Sequence, residues 1–98
     1  MKYLKNEKQI FELGNHERFV LGTRVCYRML CDRDSEREGY RIEISRGEET
    51  ESCYLGEDFL SIVVLFAELI RGEVLPYSLP EIAEDFLSGE KIYQDKSE

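Results

Sequence analysis

The sequence predicts an α+β domain: an antiparallel β-meander of three or four strands followed by two C-terminal α-helices packed on one face. Three observations carry this. Apolar and polar residues alternate with period two through much of residues 19–55. From Phe59 the period becomes helical. A second helical stripe, with its own start and stop signals, follows a proline-containing link.

The strand region comes first. Gln9 to Leu13 sets Phe11 and Leu13 on one strand face, with Gly14-Asn15 as turn material. A helix over residues 2–12 is the competing reading, because Tyr3/Ile10 and Leu4/Phe11 each repeat at seven; the strand is preferred. From Phe19 to Cys31 the odd positions read Phe, Leu, Thr, Val, Tyr, Met, Cys, and the even ones include Arg24, Cys26 and Arg28. This predicts a half-buried strand with the odd side chains inward, and Gly22 marks a bulge or bend that divides so long a run. Residues 31–39 are a polar loop. Tyr40, Ile42 and Ile44 alternate with Arg41, Glu43 and Ser45 in another strand, Gly47 lies in a turn, and residues 50–55 return as the next strand. Sequential strands with short links pair most economically as a meander.

Ten of the twelve residues from Phe59 to Ile70 are apolar, and the exceptions, Ser61 and Glu68, are seven apart and so share one narrow stripe of a helix. Asp58 is placed to cap its start, and Gly72 sits where a C′ glycine belongs. Val64 and Leu65 flank the polar stripe and need a cover beyond the sheet. Ser78-Leu79-Pro80-Glu81 fits a capping box for a second helix. Its apolar stripe is Leu79, Ile82, Ala83, Phe86 and Leu87, and Gly89 ends it. Residues 1–89 thus read as one domain and 90–98 as a flexible tail, with Ile92 and Tyr93 able to dock.

At 98 residues the chain has the length of one domain, and its 42% apolar content suffices for a single core. The formal net charge is −8. Residues 1–46 carry ten Lys/Arg against eight Asp/Glu, and residues 47–98 three against thirteen, so +2 and −10 make up the total. That balance opposes long-range attraction to nucleic acid or anionic lipid. The opening MKYLKNEKQ has no apolar signal region, and the longest apolar run, 62–67, is far below the ~20 residues of a membrane span. With an odd count of three cysteines, this predicts reduced thiols and a cytoplasmic location.

The strand Gly39-Tyr40-Arg41-Ile42-Glu43-Ile44 and the segment Arg71-Gly72-Glu73-Val74-Leu75-Pro76-Tyr77-Ser78-Leu79-Pro80-Glu81-Ile82-Ala83-Glu84-Asp85-Phe86-Leu87 resemble a family of short uncharacterised proteins, a domain of unknown function, from clostridia-like Firmicutes. The resemblance covers roughly residues 18–88. It implies a strand meander, an apolar helix, a Val-x-Pro link and a capped helix ending in an Asp-Phe-Leu triplet. It also implies a cytoplasmic location and transfers no site. The loop at 31–39 departs from the pattern.

Little in the sequence points to chemistry. His16, the one histidine, lies in predicted turn material with no nucleophile in register. Cys26, Cys31 and Cys53 lack a metal-binding spacing, and Cys26 and Cys31, five apart on a strand, point to opposite faces. Glu81, Glu84 and Asp85 read as the solvated, dipole-favouring face of a helix. No glycine-rich phosphate loop exists. No catalytic set, metal site or cofactor is therefore predicted. Arg24, Arg28 and Arg41 should emerge with Glu43 on one sheet face, able to bind an acidic peptide, a phosphate or a nucleic-acid backbone, and equally able to form cross-strand ion pairs. Tyr27 and Tyr40 fall on the other parity, which argues against a base-stacking sheet. The expected function is a non-enzymatic protein-interaction or regulatory module, with homodimerisation through Val64 and Leu65 as one form of it. The alternative is a nucleic-acid or phosphate binder using Arg24, Arg28 and Arg41. An enzyme would need a polar pocket with perturbed carboxylates or cysteines.

Overall fold

In the computed structural model the described residues are 9–33 and 38–96, with side chains described as far as Gly89. Four strands, β1 (Gln9–Val20), β2 (Thr23–Arg33), β3 (Glu38–Arg46) and β4 (Glu49–Gly56), form one antiparallel sheet in the order β1-β2-β3-β4. Two α-helices follow, α1 (Phe59–Arg71) and α2 (Leu79–Lys96), linked through a 3₁₀ turn at Pro76–Ser78. The predicted α+β meander with C-terminal helices is the observed fold.

The main departure lies at the start. β1 passes through Gly14-Asn15-His16 without turning, and these residues pair with Met29, Arg28 and Tyr27. The turn chemistry of Gly14 is spent on a β-bulge instead, with Leu13 as the extra residue between Glu12 and Gly14. The helix considered for residues 2–12 begins outside the described residues; from Gln9 onward the chain is strand.

The run from Phe19 to Cys31 is not one bent strand but a hairpin. Val20 pairs with Thr23 across the two-residue loop Leu21-Gly22, whose φ angles of 55° and 81° are both positive, as a type I′ turn demands. The turn inverts the parity. Val25, Tyr27, Met29 and Cys31 are buried as predicted, but before the turn it is Val20 that is buried, while Phe19 and Leu21 are 68% and 88% exposed. The β3–β4 hairpin turns at Gly47-Glu48, with Gly47 at φ 60°.

Both helices lie on the sheet face that carries Val25, Tyr27, Met29, Ile42 and Ile44, and the core forms between these and Ile62, Leu69, Leu79 and Ala83. The other face is open. α1 lies over β2 and β3 and reaches β1, while α2 lies over β4. α1 crosses diagonally: the Phe59 ring sits 5.3 Å from that of Tyr40 on β3, and Phe66 sits over Gly14 on β1. A Cβ at residue 14 would stand 3.2 Å from the Phe66 ring, so glycine there lets the helix approach the bulge. Tyr27 on β2 donates its phenol to the Val74 carbonyl at 3.0 Å, which ties the link after α1 to the sheet.

Asp58 caps α1 as predicted, accepting from Ser61 N at 3.4 Å and from Ser61 Oγ at 2.7 Å. The C-terminal end differs. Val74 N–H donates to Leu69 O and Glu73 N–H to Ile70 O, the paired bonds of a Schellman motif. The left-handed residue is Glu73, at φ 54°, not Gly72, at −82°. The glutamate finds compensation in an ion pair with Arg18 at 3.0 Å. The capping box predicted at Ser78 is displaced too. Helical turns begin at Pro76, and Ser78 lies inside the 3₁₀ turn, its N–H donating to Leu75 O. α2 passes through Gly89 and runs to Lys96, so Gly89 does not end it.

Candidate interaction surfaces

The open face is built by alternation. Arg24, Cys26, Arg28, Leu30 and Asp32 of β2 share it with Arg41 and Glu43 of β3, and the register places Arg28 opposite Glu43. The three predicted arginines therefore do share a face. Each already has a carboxylate. Arg28 Nε donates to Glu12 at 3.0 Å and Nη1 to Glu43 at 3.3 Å. Arg41 Nε donates to the buried Asp32 at 3.0 Å and Nη1 to Ser52 Oγ at 3.0 Å. Arg24 lies 3.8 Å from Glu17 and 5.9 Å over the Phe19 ring. Hydrogen bonds from Asn15 and then Arg28 hold the Glu12 carboxyl below its usual range. The arrangement is a lattice of cross-strand pairs in which four carboxylates answer three guanidinium groups.

Aromatic side chains reach this face where parity did not predict them. Tyr27 and Tyr40 point inward as expected, but the hairpin inversion puts Phe19 outward and the irregularity at Tyr40/Arg41 aligns Tyr54 with Arg41. Tyr54 lies directly over Gly39, where a Cβ would collide with its phenol oxygen. A tyrosine facing a cross-strand neighbour of glycine was the signal available for this contact.

The second surface is the outward side of α1. Leu60 and Val64 are 73% and 57% exposed, and Ala67, Glu68 and Arg71 are exposed beside them. Leu65 is half-buried and packs against the core. Of the two side chains predicted to need outside cover, Leu65 finds most of it within the chain, and Val64 stays 57% exposed. The polar stripe is not centred on Ser61 and Glu68 as expected. Ser61 turns half-inward to meet Asp58, and Leu60, which the apolar pattern did not single out, takes the outward position.

Sites for chemistry are less developed. Cys26, Cys31 and Cys53 are unbridged. Burial, reinforced by Glu17, Glu38 and Glu51 respectively, pushes all three thiols above their ordinary range, which opposes thiolate nucleophilicity. His16 is exposed on β1. Glu81, Glu84 and Asp85 are exposed on α2. Among the described residues no three His, Cys, Asp or Glu side chains are grouped to hold a metal ion. An open hollow of about 290 Å³ lies between the β3–β4 hairpin and the 3₁₀ turn, lined by Glu48, Glu49, Thr50, Glu51, Pro76 and Tyr77. No helix among the described residues is long and apolar enough to cross a membrane.

No family model, no curated protein and no solved structure matches the chain. The resemblance drawn from residues 39–44 and 71–87 rests on those residues alone. They form β3, the Schellman turn and the first half of α2, all with structural work to do.

Proposed function

We propose that this protein is a non-enzymatic interaction module of the cytosol, working through the outward face of α1. The observation that carries this reading is the exposure of Leu60 and Val64 on a helix otherwise seated on the sheet. Large apolar side chains exposed together on an ordered helix, rather than scattered singly, are a feature of interaction surfaces. The cysteines, shifted toward the neutral thiol, and the exposed carboxylates of α2 support the non-enzymatic part. The alternative, an Arg24/Arg28/Arg41 binder of phosphate or nucleic acid, has less support because each guanidinium faces a carboxylate that a phosphate would have to displace.

The reading is tested with an environment-sensitive anilinonaphthalene sulfonate probe. Native protein is expected to bind the dye, and Leu60→Ser with Val64→Ser to lose most of that binding while keeping the far-UV circular dichroism of the parent. Equal dye binding by parent and variant overturns it. A low-salt mobility shift with single- or double-stranded oligonucleotides, abolished by Arg28→Gln, would replace it with the alternative.

A further inference from the structure

Seven arginines fall among the described residues, and six lie within 4.0 Å of a carboxylate: Arg18 with Glu73, Arg24 with Glu17, Arg28 with Glu12 and Glu43, Arg33 with Glu38, Arg41 with Asp32, and Arg46 with Glu49. Arg71 alone has none among the described residues. It is also the one arginine of the acidic half of the chain, where carboxylate partners are most abundant. Its position is telling. Leu60, Val64, Ala67 and Arg71 are all exposed and are spaced four, three and four residues apart, the spacing of a coiled-coil seam. Exposed Ala67 offers a small residue in the middle, where a second helix can approach closely. Glu57 and Asp58 stand at the opposite end of the same helix.

We infer that a second copy of this chain docks on α1, helix against helix and antiparallel, about a two-fold axis near residues 65 and 66. This rests on the reading of α1's outward face as an interaction surface and names its occupant. In that arrangement Val64 of each copy packs on Ala67 of the other, and Leu60 packs on the alkyl stem of Arg71. Each Arg71 guanidinium extends past Leu60 to the acidic start of the other α1. The charge at the C-terminal end of the stripe meets the opposite charge at the N-terminal end, twice, by symmetry. Antiparallel packing also sets opposite ends of the two helix dipoles together. A second copy is the partner that supplies an apolar stripe of matching length with the acids at the required end. A contact of one 13-residue helix per copy is small, so the dimer is a weak one, with a dissociation constant on the order of micromolar.

Charge exchange tests the geometry by sedimentation velocity. Arg71→Glu and Glu57→Arg are each expected to weaken self-association at least about tenfold, because each sets like charges together at both ends. An equimolar mixture of the two variants restores attraction at both ends, and it is expected to associate as tightly as the parent. Val64→Lys, at an exposed position that leaves the fold intact, is expected to abolish the dimer. A mixture no tighter than its components overturns the antiparallel register, and a parent dimer unaffected by Val64→Lys overturns the surface. A strictly monomeric parent that still loses dye binding on Leu60/Val64 substitution overturns the second copy as occupant while leaving the interaction surface standing.

Discussion

Leu21 is the residue whose conformation least suits its chemistry. A leucine in the left-handed region costs about 1–2 kcal/mol, and at 88% exposure it has no packing to offset that. Asparagine-glycine is the pair a type I′ turn favours. Leu21→Asn is therefore expected to stabilise the protein by about 1 kcal/mol, a rise of roughly 4–8 °C in Tm for a domain of this size. An unchanged or lower Tm would show that the turn is not strained. The open-face arginines divide by their partners. Arg41 reaches a buried carboxylate, whereas Arg24 reaches an exposed one at longer range. Arg41→Ala is expected to cost about 1–2 kcal/mol and Arg24→Ala less than about 0.5 kcal/mol in urea unfolding. Equal and negligible costs would mean that these side chains are kept for a ligand and not for the sheet.

At the scale of elements, what the sequence disclosed depended on whether the signal was local. β3, β4 and α1 were legible because alternation, turn glycine and cap all agreed within a few residues of one another. The β1–β2 hairpin was not. Leu21-Gly22 lacks the asparagine or aspartate that announces a type I′ turn, and the alternation of residues 23–31 extrapolates smoothly across it. The cost of that miss was the side assigned to Phe19. Gly14 misled in the other direction. Its neighbours spell a turn, but the requirement it meets is tertiary, room for Phe66 over a bulge, and it becomes visible only once α1 is placed. The same holds for Glu73. A glycine stood one residue earlier, and the preference for Glu73 in the left-handed position is tied to Arg18, 55 residues away. For the candidate surfaces, parity found the arginine face and Glu43 on it, but not that Glu12, Glu17 and Asp32 also answer the arginines there. Composition located an over-apolar helix and Val64 on its outside, but not Leu60, because the rotation of a nearly all-apolar helix is set by the sheet beneath it.

For the whole molecule, the two-layer plan leaves one sheet face and the outer sides of both helices to solvent, and the sheet face and the α1 face differ in kind. The sheet face pairs its arginines with its own carboxylates and leaves Phe19 and Tyr54 exposed beside them. The α1 face ends in an arginine that makes no ion pair within 4.0 Å among the described residues, and it exposes an apolar seam. A two-layer domain of 98 residues buries a limited core, and covering that seam with a second copy adds stability through mass action. The one arginine of the strongly acidic half, Arg71, lies on the seam. The most direct measurement is sedimentation equilibrium of the unmodified protein across a concentration series at physiological salt. The weight-average mass is expected to climb from 11.5 kDa toward twice that value as concentration passes through the micromolar range and then to level off. A mass that stays at 11.5 kDa up to several hundred micromolar would contradict the dimer.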